Sequence, residues 1–93
     1  MTDPVPYELV LTPPATRAIR DGLPESVAAA VIEFLTAALV ENPRRVGKRL
    51  RGDLSGIWAA RRGTYRVLYR INDTAHEVIV PRVEHRREVY RPH

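Results

Sequence analysis

From Tyr7 to Thr12 the chain reads Tyr-Glu-Leu-Val-Leu-Thr, with Tyr7, Leu9 and Leu11 alternating against Glu8 and Val10. A period of two predicts a strand with one buried face. Thr12 then precedes Pro13 and Pro14, an N-cap followed by prolines in the first turn, where a missing amide costs nothing. This predicts a short helix to about Asp21, stopped by Gly22. Leu23-Pro24-Glu25 opens a second, longer helix ending near Glu41, in which Val27, Val31, Phe34, Leu35 and Ala38 recur three or four apart and share a face. Asn42-Pro43 terminates it.

A basic loop is expected from Arg44 to Gly56, carrying Arg44, Arg45, Lys48, Arg49 and Arg51 among glycines 47, 52 and 56. Three strands follow, over about Ile57–Arg61, Tyr65–Ile71 and His76–Val83, joined by Arg62-Gly63-Thr64 and Asn72-Asp73-Thr74. Turns this short imply antiparallel pairing. In the middle strand Tyr65, Val67, Tyr69 and Ile71 occupy one face, and Arg66, Leu68 and Arg70 the other. The first face should meet the helices and the second should present arginines outward. Pro81 cannot donate to a ladder, so pairing should weaken there. The predicted class is α+β: a small antiparallel β-sheet with an N-terminal strand, a two-helix hairpin packed on one face, and a C-terminal three-strand meander. At 93 residues, a single domain over 1–93 is expected.

Composition narrows this. An apolar content of 44% suits a folded chain, and the absence of cysteine excludes disulfides and thiolate sites. The longest apolar stretch, Val27 to Val40, is interrupted by Glu33 and Thr36 and does not reach a membrane span. Met1-Thr2-Asp3-Pro4 lacks the basic and apolar regions of a signal peptide, so a soluble cytoplasmic protein is expected. The overall charge of +4 hides an asymmetry: residues 1–41 set Arg17 and Arg20 against six acids, whereas residues 42–93 set thirteen basic residues against five acids. Arginine-rich composition explains the choice of Arg over Lys, but not why the charge gathers in one half. A basic half on a small domain is the footprint of a polyanion binder.

The chemistry available in that half is cationic. His76, His85 and His93 lack metal-ligand spacing, no phosphate-binding glycine loop is present, and neither Ser26 nor Ser55 lies in a nucleophile motif. Nothing calls for a metal or a cofactor. Arg61, Arg62, Arg66 and Arg70 on the hairpin, with Lys48, Arg49 and Arg51 on the loop, are candidates for phosphate contact. His85 is a candidate proton carrier by residue type, and Tyr90 can stack on a base or donate a proton. Together these residue types point to RNA and to RNA cleavage.

The segment GKRLRGDLSGIWAARRGTYRVLYRI followed by VPRVEHRREVYR resembles the RelE/ParE toxin superfamily, on the RelE side. The resemblance implies the toxin half of a type II toxin–antitoxin pair. Such a toxin is a metal-independent endoribonuclease that enters the ribosomal A site and cuts mRNA by attack of a ribose 2′-hydroxyl on the adjacent phosphate. It also implies a RelB-like antitoxin partner, contact with operator DNA only through the antitoxin complex, and no membrane partner. Carried over, Arg66 matches the strand arginine that contacts the scissile phosphate, and Arg61 a basic position on the preceding strand. Arg86 or His85 matches the tail position, Tyr90 the C-terminal tyrosine, and Lys48, Arg49 and Arg51 the backbone-contacting region. Where the family carries a pair of strand lysines, this chain has Ala59 and Arg61. An arginine stays protonated across the ordinary pH range and serves as a clamp, not as a general base. The proton then falls to His85, Tyr90 or Lys48, or partly to solvent. A gyrase-inhibiting ParE-like toxin and a non-catalytic RNA-binding form are the competing expectations.

Overall fold

The computed structural model describes residues 5–52 and 56–85. Its elements are β1 (Glu8–Leu11), α1 (Pro13–Arg17) running on into a wider π-type turn (Ala18–Gly22), α2 (Glu25–Phe34) with a second such turn (Leu35–Leu39), α3 (Pro43–Val46), β2 (Lys48–Arg49), β3 (Trp58–Arg62), β4 (Tyr65–Asn72) and β5 (Glu77–His85). The strands form one sheet in the order β1-β5-β4-β3-β2. The meander β3-β4-β5 is antiparallel as expected, and α1 and α2 cover one face.

Several features depart from the expected pattern, among them the short helix α3 where the basic loop was expected to begin. β1 joins the edge of β5 in parallel, Glu8 opposite Glu77 and Leu11 opposite Val80, so the sheet is mixed. Parallel neighbours need a long crossover, and the helices with the whole β2–β4 segment supply it. The basic loop also contains a short edge strand, with Lys48 paired to Ala59 and Arg49 to Trp58.

The helical layer is fixed by a few side chains. Thr12 accepts a hydrogen bond from the Ala15 amide at 3.4 Å and caps α1. Its hydroxyl reaches the carbonyls of Val80 and Pro81, at 3.3 and 3.0 Å, tying the cap to β5. Val31, Leu35 and Leu39 pack with Val67, Tyr69, Val78 and Val80, all essentially shut off from solvent. Fully burying such side chains contributes about 1.5–3 kcal/mol each. The Tyr69 hydroxyl crosses the core to donate to the Pro43 carbonyl at 2.5 Å. Burial pushes its pKa up to about 12, so it remains a protonated donor at neutral pH. Gly47 leaves room for this contact: a Cβ there would overlap the Tyr69 hydroxyl and lie 2.8 Å from the Ala59 carbonyl oxygen.

At Pro81 the ladder does not fade; it bulges. Leu68 pairs with Arg82 and Arg70 with Ile79, so Val80 and Pro81 together oppose Tyr69. The bulge absorbs the missing proline N–H and lets β5 continue to His85, beyond the expected end near Val83. It also moves the inward alternation by one position. Val78 and Val80 are buried before it, Val83 and His85 after it. Arg82 and Glu84 consequently emerge on the face away from the helices.

Candidate functional site

β4 turns Tyr65, Val67 and Tyr69 into the core and leaves Arg66, Leu68 and Arg70 on the open face of the sheet. Residues opposed across a ladder share a face, so the register defines what surrounds them. Arg66 stands directly across from Arg61 on one side and Glu84 on the other. The adjoining row runs Lys48, Ala59, Leu68, Arg82. Lys48, Arg61, Arg66 and Arg82 thus gather in adjoining rows with Glu84, while Glu77 and Glu8 occupy the same face farther along, in the row of Asn72.

The Glu84 carboxylate is fully engaged. Arg66 donates to Glu84 Oε1 from Nε at 2.8 Å and from Nη2, and Arg82 Nε donates to Oε2 at 3.2 Å. The Glu84 side chain is 12% exposed, that of Arg66 35% and that of Arg82 68%. The glutamate therefore grips Arg66 from below while part of the guanidinium stays open to solvent. Neither Glu84 nor Arg82 was among the candidates read from the sequence. The signal that pointed to them was Pro81: a proline inside a strand marks a bulge, and a bulge reverses which later residues face out.

The other candidates divide. Arg61 is exposed beside Arg66, and Lys48 is exposed opposite Ala59, the position where the resemblance had placed a lysine. Arg70 is exposed on the same face in the row of Ile79. Arg62 lies on the helical side, opposite Tyr65. Its guanidinium sits 4.9 Å from the Phe34 ring centroid and donates to the carbonyls of Arg61 and Val46, at 2.9 and 3.4 Å. It staples β3 to the helices. Arg49, opposite Trp58, takes the helical-side alternation, and Arg51 is exposed just beyond β2. His85 also faces the helical side, opposite Tyr65 and only 7% exposed, and is not brought together with Arg61 and Arg66. Arg86 and Tyr90 lie outside the described residues.

One loop cation serves a different end of the sheet. Arg44 pairs with Asp73 in the β4–β5 turn, Nη2 to Oδ2 at 2.6 Å and Nη1 to Oδ1 at 3.2 Å. The Tyr7 hydroxyl donates to the same carboxylate at 2.7 Å. These bonds, Arg44 first and Tyr7 next, hold the Asp73 carboxyl below its ordinary value and raise the Arg44 pKa further. Tyr7 in turn stacks on His76, ring centroids 4.0 Å apart.

The described residues define a class: a small α+β protein with one helix-covered sheet face and one open cationic face, suited to holding an anion by positioned guanidinium groups. Residues 9–90 match the family model described as the ParE toxin of type II toxin–antitoxin system, parDE. Toxin RelE of Mycobacterium tuberculosis is 45% identical over 91 residues, covering 98% of this chain and 93% of the relative. Toxin RelG of the same organism is 47% identical over 87 residues, covering 94% and 99%. The fold is similar to that in the crystal structure of the toxin–antitoxin complex RelBE2 from Mycobacterium tuberculosis, with 49% identity, TM-score 0.85, and coverage of 88% of this chain and all of that one. The chain belongs to the RelE/ParE family of type II toxins.

Proposed function

We propose that this toxin is a ribosome-dependent, metal-independent mRNA endoribonuclease that blocks translation by cutting in the A site. The observation that carries the reading is the Arg61–Arg66 pair. Like charges directly opposite in a ladder are destabilising, yet these two arginines face each other on an open surface. Glu84 offsets part of the Arg66 charge, and a bound phosphodiester offsets the remainder by bridging both arginines. In the reaction, a ribose 2′-oxygen attacks the neighbouring phosphorus and loses its proton as the P–O5′ bond breaks. The 5′-oxygen leaves with a proton, giving a 2′,3′-cyclic phosphate and a 5′-hydroxyl. Arg61 and Arg66 are clamps on the non-bridging oxygens, whose charge grows in the transition state. With His85 on the helical side, the proton transfers are assigned to Lys48 and Tyr90. Relatives seen in complex with an antitoxin support a RelB-type partner for this chain, with operator DNA contacted only through that complex.

Primer extension on translating ribosomes tests this: the wild-type chain should give codon-linked cuts, and Arg66→Ala should lose them while Arg62→Ala retains them. No cutting by folded wild-type protein overturns the reading. The ParE description of the matching family model favours a second one, inhibition of DNA gyrase. A supercoiling assay separates the two, since an RNA-cutting toxin leaves gyrase turnover unchanged.

A further inference from the structure

We infer that Glu84 is a positioning residue for Arg66, and that it trades RNA affinity for a fixed phosphate clamp. The inference rests on the cleavage reading above. A carboxylate on a polyanion-binding face works against affinity, because it repels phosphate and cancels one of the cations around it. It is nevertheless the least exposed member of the trio it forms with Arg66 and Arg82, and both of its oxygens are in use, one by Arg66 and one by Arg82. An ornamental surface ion pair has neither property.

The geometry says what Glu84 does. It takes the Nε–Nη2 side of the Arg66 guanidinium, and Nη1 meets no acceptor among the described residues. Unrestrained, Arg66 would swing away from Arg61, which stands directly opposite and carries the same charge. Held by Glu84, it stays beside Arg61 on the open face. The two guanidinium groups then approach a phosphate as a preset pair, not as two mobile cations. Arg82 completes the anchor from the outer side of Glu84 and fixes the carboxylate rotamer. The bulge at Pro81 is what allows Glu84 to reach this face at all.

Single-turnover cleavage and RNA binding, measured side by side on the wild-type chain, Glu84→Gln and Glu84→Asp, test this. Glu84→Gln removes the negative charge, so RNA should bind as tightly or more tightly while the cleavage step slows by about tenfold or more; displacement on the order of 1 Å can cost about 10²-fold. Glu84→Asp keeps the charge and the fold but withdraws the carboxylate by one methylene. It should slow the step with affinity unchanged. A merely structural role would lower melting temperature and weaken binding together, without this split. If Glu84→Gln does not fold, Glu84→Asp decides alone. Wild-type rates in the folded variants, with cutting intact, overturn the proposal alone. Absence of cutting by the wild-type chain overturns the cleavage reading and this proposal together.

Discussion

Tyr69 and Gly47 act as one unit. The buried hydroxyl satisfies the Pro43 carbonyl at the end of the helical layer, and the neighbouring glycine leaves the hydroxyl its space. Gly47 has extended backbone angles that any residue adopts, so its requirement is room and not conformation. Tyr69→Phe strands a buried carbonyl and should cost about 1–2 kcal/mol in denaturant unfolding. Gly47→Ala should cost more, since the methyl meets both the hydroxyl and the Ala59 carbonyl. The double variant should be less destabilised than the sum of the singles, because Tyr69→Phe removes one of the two overlaps. Strict additivity would show that the two residues do not share this space. The same scale separates Arg62 from the other hairpin arginines. Its type and place in the hairpin suit phosphate, but the pleat puts it on the helical side, over Phe34.

Among the elements, β5 carries the least legible information. Alternation in β4 revealed the buried and open faces correctly, and the proline, glycine and apolar spacing located both helices close to their observed bounds. Parallel pairing of β1 was not legible, because short turns report only on neighbours in sequence and β1 and β5 are joined by no turn. His85 was a site candidate and Glu84 was not, and the one added residue of the bulge decides which of the two faces outward. The bulge predicts a contrast. Pro81→Ala keeps the extra residue and should change stability by no more than about 1 kcal/mol. Inserting one alanine after Pro81 adds a second extra residue, turns Arg82 and Glu84 toward the core, and should cost more than about 4 kcal/mol or abolish folding. Circular dichroism melts of the two variants check this; similar melting temperatures would refute the face-switching role. The candidate site was half legible: Arg61, Arg66 and Lys48 meet on one face, whereas the carboxylate that organises them was invisible without the register.

For the whole molecule, two electrostatic regions answer to different variables. The open face should respond to salt. On single-stranded RNA each phosphate contact adds about 0.7 to the slope of log affinity against log salt. Arg61→Ala should lower that slope by about this amount and Arg62→Ala should leave it unchanged, as read by fluorescence anisotropy titrations. The Arg44–Asp73–Tyr7 tie should respond to acid. Because Asp73 is held below its ordinary 3.8 in the folded state, its contribution is complete above that value and is lost as pH falls through the lowered one. Asp73→Asn should melt earlier than wild type near neutral pH, and the two curves should converge as pH falls through the lowered Asp73 value. Curves that stay parallel would remove the tie from the stability of the fold. The pairing of β1 with β5 has a further consequence, in the order of synthesis. Of the five strands, the first to leave the ribosome bonds to the last, so the sheet cannot close while translation of β5 is pending. A nascent chain stopped before β5 has Arg61 and Arg66 but no Glu84 beneath them and no parallel partner for Leu9 and Leu11. Interrupted translation of this toxin therefore yields an incomplete sheet instead of a partly armed one.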